Sequence, residues 1–316
     1  MTMIFTKRLA QLGIVLVILC FGTYATQQAY EIAAGFQKEQ ANLARRQAEW
    51  TRLQKRFEAI IALFGGDAGV VIKDLQTGFK FTYQDSKVFP SASLVKVAMM
   101  AACLQAAKDQ HLGLQEQITL QRSDQVSGSG KLWTEKPGSQ YRVAQLIEYM
   151  IAESDNTATN IMINRLGIDY YNNYFQNLGL RGTSLARKMM DFRSRRQGLE
   201  NYTSPADMAW VLEQFYELKL IDAHSSELGL EFLKKQKLRD RIPFRLPSSV
   251  VVAHKTGLEN FVCHDGGIVY TDQGNYLICV MTKTATVFDQ GSKHLISELS
   301  WATYQYMTRK ATIQSI

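Results

Sequence analysis

A chain of 316 residues, 46% hydrophobic and 21% charged, is long enough to bury a sizeable core and too apolar to be a disordered polymer. Its net charge of +7 is concentrated early: residues 1–64 hold eight Lys/Arg and four Glu, which leaves only +3 for everything after them. A nucleic-acid binder would carry basic charge on its folded body, so that partner class is excluded, and the four cysteines (Cys20, Cys103, Cys263, Cys279) have neither a paired framework nor the spacing of a metal site.

The chain opens with a basic start, Met1–Arg8, followed by an apolar run from Leu9 to Ala25. That pattern predicts export from the cytoplasm. Residues 1–26 read as a signal that is either cleaved after Thr23-Tyr24-Ala25 or kept as a signal anchor, and the expectation is an anchor, with the membrane as a partner. From Gln27 to Phe64 the pattern is helical, with Phe36, Leu43, Trp50, Phe57 and Phe64 recurring every seven residues. This segment, residues 27–64, reads either as a coiled-coil stalk or as a helix whose last turns pack on the following domain, because its second seam is polar at Glu39 and Arg46. Gly65-Gly66 ends it.

Residues 65–316 then read as one domain. Ala68–Asp74 and Gly78–Gln84 predict a β-hairpin, and Ser93–Lys108 a helix rich in Ala, Met, Leu and Val. A mainly helical stretch occupies about 115–245, with helices over Arg142–Glu153, Thr157–Leu166, Asp169–Leu178 and Pro205–Leu218. Strands return at Ser249–Lys255, Gly266–Tyr270 and Tyr276–Thr282, and a helix over about Ser292–Met307 closes the chain. The order predicts an α/β fold of the α+β type: an antiparallel five-stranded sheet flanked by helices, with an all-helical subdomain inserted. A cleft is expected between the two parts.

Three short motifs fall around that cleft. Ser93-Leu94-Val95-Lys96 begins a helix, where one turn brings a hydroxyl and an amine to one face and the helix N-terminus favours developing negative charge. Taken alone it equally describes a helix cap and a solvated lysine. Ser154-Asp155-Asn156 follows a helix and reads as a polar turn capping the next one, or as a proton relay (Ser154) beside an orienting amide (Asn156). Lys255-Thr256-Gly257 ends a predicted strand. It offers a charge, a hydroxyl and a glycine that allows close approach, or else marks a simple turn.

Together and in this order the three resemble the signature of class A β-lactamases and penicillin-binding proteins. The separations, 61 positions from Ser93 to Ser154 and 162 from Ser93 to Lys255, are similar to the class A layout, and the likeness covers about residues 50–308. It implies a β-lactamase/D,D-peptidase-like fold and a serine hydrolase that needs no metal or cofactor. In that mechanism Ser93 attacks an amide or lactam carbonyl, Lys96 manages its proton and Ser154 protonates the leaving nitrogen. Lys255 and Thr256 hold the substrate carboxylate, Asn156 orients the substrate, Gly257 lets it approach, and the backbone N–H groups of Ser93 and Leu258 hold the oxyanion. The substrate is a β-lactam or a peptidoglycan peptide, and the product is an acyl-enzyme.

The resemblance fails at one point. Class A enzymes clear the acyl-enzyme with a glutamate on a loop after the second motif, and here that place falls near Met189. Between Asp169 and Glu200 the only acid is Asp191. Asp191 is the candidate substitute, its plain alternative being a helix cap or a partner for Arg187 or Arg193. Three readings follow: a wall-peptide enzyme of D,D-peptidase type, a β-lactamase with a non-standard deacylation loop, and a sensor that stays acylated. A Ser-His-Asp triad is rejected, since the adjacent His264 and Asp265 would point to opposite faces of a strand.

Overall fold

The structure, a computed structural model, describes residues 2–309, and within the first helix the side chains of residues 2–26 and 29 lie outside the description. The chain divides into two units, Met1–Arg52 and Leu53–Ile316. Helix α1 (Thr2–Ala62) makes up the first unit and contributes its last turns to the second. Of the seven-residue series, Phe36 and Leu43 are exposed, whereas Phe57 is fully buried with its ring 5.1 Å from that of Phe81. Leu53 and Ile61 are buried on the same stripe. The last turns of α1 are therefore amphipathic helix on a core.

The anchor expected at residues 1–26 needs correction. Among the described residues no helix is long and apolar enough to cross a membrane. The physical reason is legible in the run itself: at about 1.5 Å per residue, Leu9–Ala25 reaches roughly 25 Å, short of the ~30 Å hydrocarbon core, and Gln11 and Thr23 interrupt it. The signal anchor and the membrane partner are withdrawn; the side chains of that run lie outside the described residues.

In the second unit five antiparallel strands form one sheet in the order β2-β1-β5-β4-β3, built from β1 (Asp67–Asp74), β2 (Lys80–Tyr83), β3 (Val252–Glu259), β4 (Val262–Val269) and β5 (Tyr276–Lys283). The β1–β2 turn closes through Gly78 N–H to Asp74 O at 2.8 Å, with Asp74 Oδ1 accepting from Gln76 and Thr77 N–H. All eight residues of β4 are buried, because helices cover both faces of the sheet. On one side lie the last turns of α1 and α9 (Gln290–Arg309), tied by Arg56 Nη1 donating to Gln305 Oε1 at 2.9 Å.

On the other side lies α2 (Lys96–Lys108), buried on almost every face, as a helix apolar nearly all round must be. Around it pack α3 (Val143–Ala152), α5 (Ile168–Asn177), α7 (Pro205–Tyr216) and α8 (Ala223–Lys234), while α4 (Asn156–Leu166) and the short α6 (Phe192–Arg196) complete the helical subdomain. The predicted α+β architecture is thus present. Some details differ: α6 and α8 are additional, and Lys255-Thr256-Gly257 lies inside β3 instead of at its end.

Candidate active site

Ser93 sits in a tight 3₁₀ turn, Ala92–Val95, that runs directly into α2. Ala92 before it adopts φ +44°, a left-handed conformation that costs an alanine about 1–3 kcal/mol and is held here by the structure around it. Ser93 lines a cleft of about 450 Å³ together with Gly128, Ser129, Asn156, Met189 and Leu258. One turn later Lys96 is fully buried. Its Nζ donates to Ser154 O at 2.7 Å, Asn156 Oδ1 at 2.9 Å and Ser154 Oγ at 3.3 Å. Burial lowers its pKa to about 7 against a smaller upward pull from Asp155, so near neutrality a large share of Lys96 is an amine with a free lone pair.

Ser154 joins α3 to α4 and carries φ +55°. Asp155 follows as the N-cap of α4, accepting from Ala158 N–H at 2.8 Å, and its other oxygen accepts from Lys131 N–H at 2.8 Å and Leu132 N–H at 2.9 Å. This carboxylate fixes the 127–132 loop against the cleft wall. Gly130, at φ +93°, makes that approach possible, since a Cβ there would lie 2.2 Å from Asp155 Oδ2. Asp155 is thus the cap, and its neighbours Ser154 and Asn156 face Lys96.

Lys255 reaches the same hydroxyl from the sheet. Its Nζ donates to Ser154 Oγ at 3.0 Å and Thr256 O at 2.7 Å, and it is fully buried. Burial and then the Lys96 charge push its pKa well below the usual lysine value, while Asp265 pulls it upward. β3 is an edge strand, so alternate backbone groups face the cleft without a strand partner. A Cβ at Gly257 would meet Leu94 N and Ser91 O at 3.2 Å, so glycine lets β3 lie against the Ser93 turn. Leu258, half exposed, lines the cleft next to it.

Met189 stands where the resemblance expects a glutamate. Asn160 clamps it in place: its Nδ2 donates to Met189 O at 3.0 Å, and Met189 N–H donates to Asn160 Oδ1 at 2.8 Å. Asp191 is the N-cap of α6, accepting from Ser194 N–H at 3.0 Å and Ser194 Oγ at 2.6 Å, which lowers its pKa. It is not among the residues lining the cleft. The carboxylates that do line it are ion-paired. Glu200 holds Arg187 at 2.7 Å and Arg195 at 3.1 Å, Glu259 holds Arg195 at 2.9 Å, and Asp289 holds Lys293 at 2.7 Å.

Sequence reasoning missed four features of the site. One is this ion cluster: Arg187 pairs with Glu200, not with Asp191. A second is the Asn160 clamp. The third is Arg241, 1% exposed, with Nε donating to Cys263 Sγ at 3.1 Å, Nη1 ion-paired to Asp240 Oδ1 at 3.2 Å, and a charge close enough to oppose that of Lys255. The fourth is a contact between His254 Nδ1 and Asp265 at 2.9 Å. His264 turns away, as its strand position requires, with Nε2 donating to Pro90 O at 2.8 Å and a pKa lowered by burial to about 4. No short-range pattern signals the Arg187–Glu200 pair, the Asn160 clamp or the Arg241–Cys263 contact, whose partners lie 13 or more positions apart.

The family model described as the beta-lactamase enzyme family matches residues 52–307. Among curated relatives, a β-lactamase of Citrobacter koseri is 26% identical over 84% of this chain and 92% of its own, and the extended-spectrum β-lactamase PER-1 of Pseudomonas aeruginosa 22% identical over 72% and 78%. Among solved structures, PBP-A superposes with a TM-score of 0.75 at 29% identity, covering 82% of this chain and 97% of that one. A β-lactamase from Sphaerobacter thermophilus gives 0.74 at 28%, covering 82% and 98%.

Proposed function

The chain belongs to the β-lactamase enzyme family and is a serine hydrolase of the β-lactamase/D,D-peptidase type, and on that premise we propose that it forms its acyl-enzyme readily on Ser93 and hydrolyses it slowly. The observation that carries this reading is the buried chain Lys96–Ser154–Lys255 beside Ser93, in a cleft whose deacylating position is Met189. Neutral Lys96 takes the Ser93 proton as Oγ attacks the carbonyl carbon. The oxyanion forms between the N–H groups of Ser93 and Leu258. Ser154 Oγ then gives a proton to the leaving nitrogen as the C–N bond breaks, and recovers one from the lysines that donate to it. Lys255 with Thr256 holds the substrate carboxylate, Asn156 orients the acyl amide, and Gly257 keeps β3 close enough for contact.

Hydrolysis of the ester needs a base for water, and in the cleft every lining carboxylate is engaged by an arginine or lysine. This favours a D,D-peptidase-type enzyme on peptidoglycan peptides, with β-lactams as long-lived acylating analogues, over an efficient β-lactamase. A PBP-A variant has been solved as its acyl-enzyme with penicillin G, which supports the same class of ligand here. An extracytoplasmic location, periplasmic or secreted, is consistent with the β-lactamase family; the basic start and apolar run of residues 1–26 supply the export signal.

Time-resolved mass spectrometry of the full chain, mixed with benzylpenicillin and separately with a chromogenic cephalosporin, tests the reading. The expected result is a lasting adduct on Ser93 that is absent from Ser93→Ala. Rapid turnover with no accumulating adduct rejects slow deacylation; neither adduct nor turnover rejects penicillin recognition.

A further inference from the structure

The cleft described above is crossed at one point by a side chain that the mechanism does not use. Near Ser93 its lining comes from two walls, with Gly128, Ser129 and Asn156 on one and Met189, Met190 and Phe192 on the other. Met190 is partly buried, and its side chain reaches from the second wall to the first. A Cβ at Gly128 would stand 3.2 Å from Met190 Sδ, 3.3 Å from Met190 Cε and 2.9 Å from Asn156 Nδ2. The thioether end of Met190, the amide of Asn156 and the bare backbone of Gly128 therefore meet at one place. Gly128 has φ +105°, so glycine is required there both by the backbone and by the methionine packed on it.

The backbone under Met190 is held from both sides. Met190 takes φ +63°, in the left-handed region that a residue with a Cβ seldom enters. On its N-terminal side Asn160 binds both the N–H and the carbonyl of Met189, at 2.8 Å and 3.0 Å. On its C-terminal side Asp191 caps α6, and Phe192 N–H donates back to Met190 O at 3.0 Å. Such an outlier persists only where its surroundings fix it, and these contacts leave the backbone little freedom to withdraw. What can move is the side chain itself. Methionine is unbranched and turns easily about its bonds, so it yields to a slender group more readily than to a broad one.

We propose that Met190 is a specificity-determining residue, a thioether bar across the cleft. It admits acyl donors that carry a slender, flexible group on the carbonyl of the acyl amide, and it rejects those with a broad, rigid group attached there directly. The inference rests on the role proposed above for Asn156. Asn156 Oδ1 accepts from Lys96, while Nδ2 has only a long contact, 3.5 Å, with Ser127 O, which leaves Nδ2 to orient the acyl amide. Whatever the donor carries on the carbonyl held there lies against the Met190 thioether. A methylene turns past it. A ring with substituents at both ortho positions has to displace it from Gly128, and discrimination built on such a clash acts against one donor and spares the other.

The test compares acylation rate constants of the full-length enzyme for two penicillins, each followed by mass spectrometry of the Ser93 adduct. Benzylpenicillin carries a methylene on the acyl-amide carbonyl, and methicillin carries a dimethoxyphenyl ring there. Wild type should favour benzylpenicillin by at least about tenfold. Met190→Ala should shrink that ratio by about tenfold or more through faster reaction with methicillin, whereas Met190→Leu, which keeps the bulk, should retain it. A variant that merely loosened the loop would scale both rate constants by one factor, and an unchanged ratio in Met190→Ala overturns the proposal. So does a ratio that falls as far in Met190→Leu, because bulk would then not be the cause. Should Met190→Ala not fold, Met190→Gly decides by the same ratio, since glycine accepts φ +63° without strain. A wild type that acylates with neither penicillin refutes the reading of the site itself; equal rate constants for the two refute only the role of Met190.

Discussion

Lys96 and Lys255 donate to one and the same hydroxyl: their Nζ atoms lie 3.3 Å and 3.0 Å from Ser154 Oγ, one arriving from helix α2 and the other from strand β3. Neither side chain is exposed to solvent. Two ammonium groups cannot share a dry oxygen without repulsion: burial depresses both lysines, and the Lys96 charge depresses Lys255 further. The arrangement yields what acyl transfer requires near neutral pH: a base, a relay and a cation within one hydrogen-bonded chain.

The first prediction concerns pH and stability. Lys96 titrates near 7 when folded against 10.5 in an unfolded chain, so between those values the unfolded chain binds the additional proton. Stability therefore rises as pH increases from about 7 to about 10, and below 7 the penalty is constant. The full span is worth up to about 5 kcal/mol by linkage. Calorimetric melting across this window should show the rise for the wild type and a flatter slope for Lys96→Met. The slope is the diagnostic, because methionine also strips Ser154 O and Asn156 Oδ1 of their donor. An identical slope in both proteins refutes the assignment.

The second prediction concerns the missing carboxylate. Met189 lines the cleft on a backbone clamped by Asn160, so a glutamate at this position would be held facing the acyl group. Met189→Glu should speed hydrolysis of the penicilloyl adduct by at least about tenfold while leaving acylation within about threefold, since general-base assistance acts on water in the second step only. Adduct decay followed by mass spectrometry separates the two rates. An unchanged decay means the block lies elsewhere.

Helices were readable where the apolar period is unbroken, as in α2, whose residues are buried from Lys96 through Leu104. α8 escaped because Ser225, Ser226 and Gly229 dilute its pattern. Gly229 is there to admit α7, as a Cβ would stand 2.5 Å from the Phe215 ring. α6 is a five-residue turn of mostly basic residues with no periodicity to detect. In the site, Ser93, Lys96, Ser154 and Lys255 were legible because each falls in a short motif of fixed order. The Arg187–Glu200–Arg195–Glu259 cluster and the Asp265 contact depend on which loop folds against which strand, and chain order does not carry that information.

The third prediction concerns the loop that carries Met189. Asn160 satisfies both the N–H and the carbonyl of Met189 and is itself 4% exposed. Asn160→Ala leaves two buried backbone groups without partners and should cost about 2–4 kcal/mol in urea denaturation. The same variant should become sensitive to limited proteolysis around Met189–Asp191, while Asn172 and Asn201 still hold the backbone at Leu185–Arg187. Undiminished stability would mean that ordered water replaces the amide.

The fourth prediction separates strain from chemistry at Ser154. Its φ of +55° costs a residue with a Cβ about 1 kcal/mol or more, a conformation that glycine adopts freely. Ser154→Gly and Ser154→Ala both delete the hydroxyl shared by Lys96 and Lys255, but only the glycine relieves the backbone. Acylation should fall in both by a similar factor, on the order of 10²–10⁴, because the relay to the leaving nitrogen is gone in each. Thermal stability should part them, with Ser154→Gly melting above Ser154→Ala by the equivalent of about 1 kcal/mol. If Ser154→Ala retained acylation, the proton would reach the leaving nitrogen directly from a lysine, and Ser154 would be kept for its backbone carbonyl, which accepts from Lys96 at 2.7 Å.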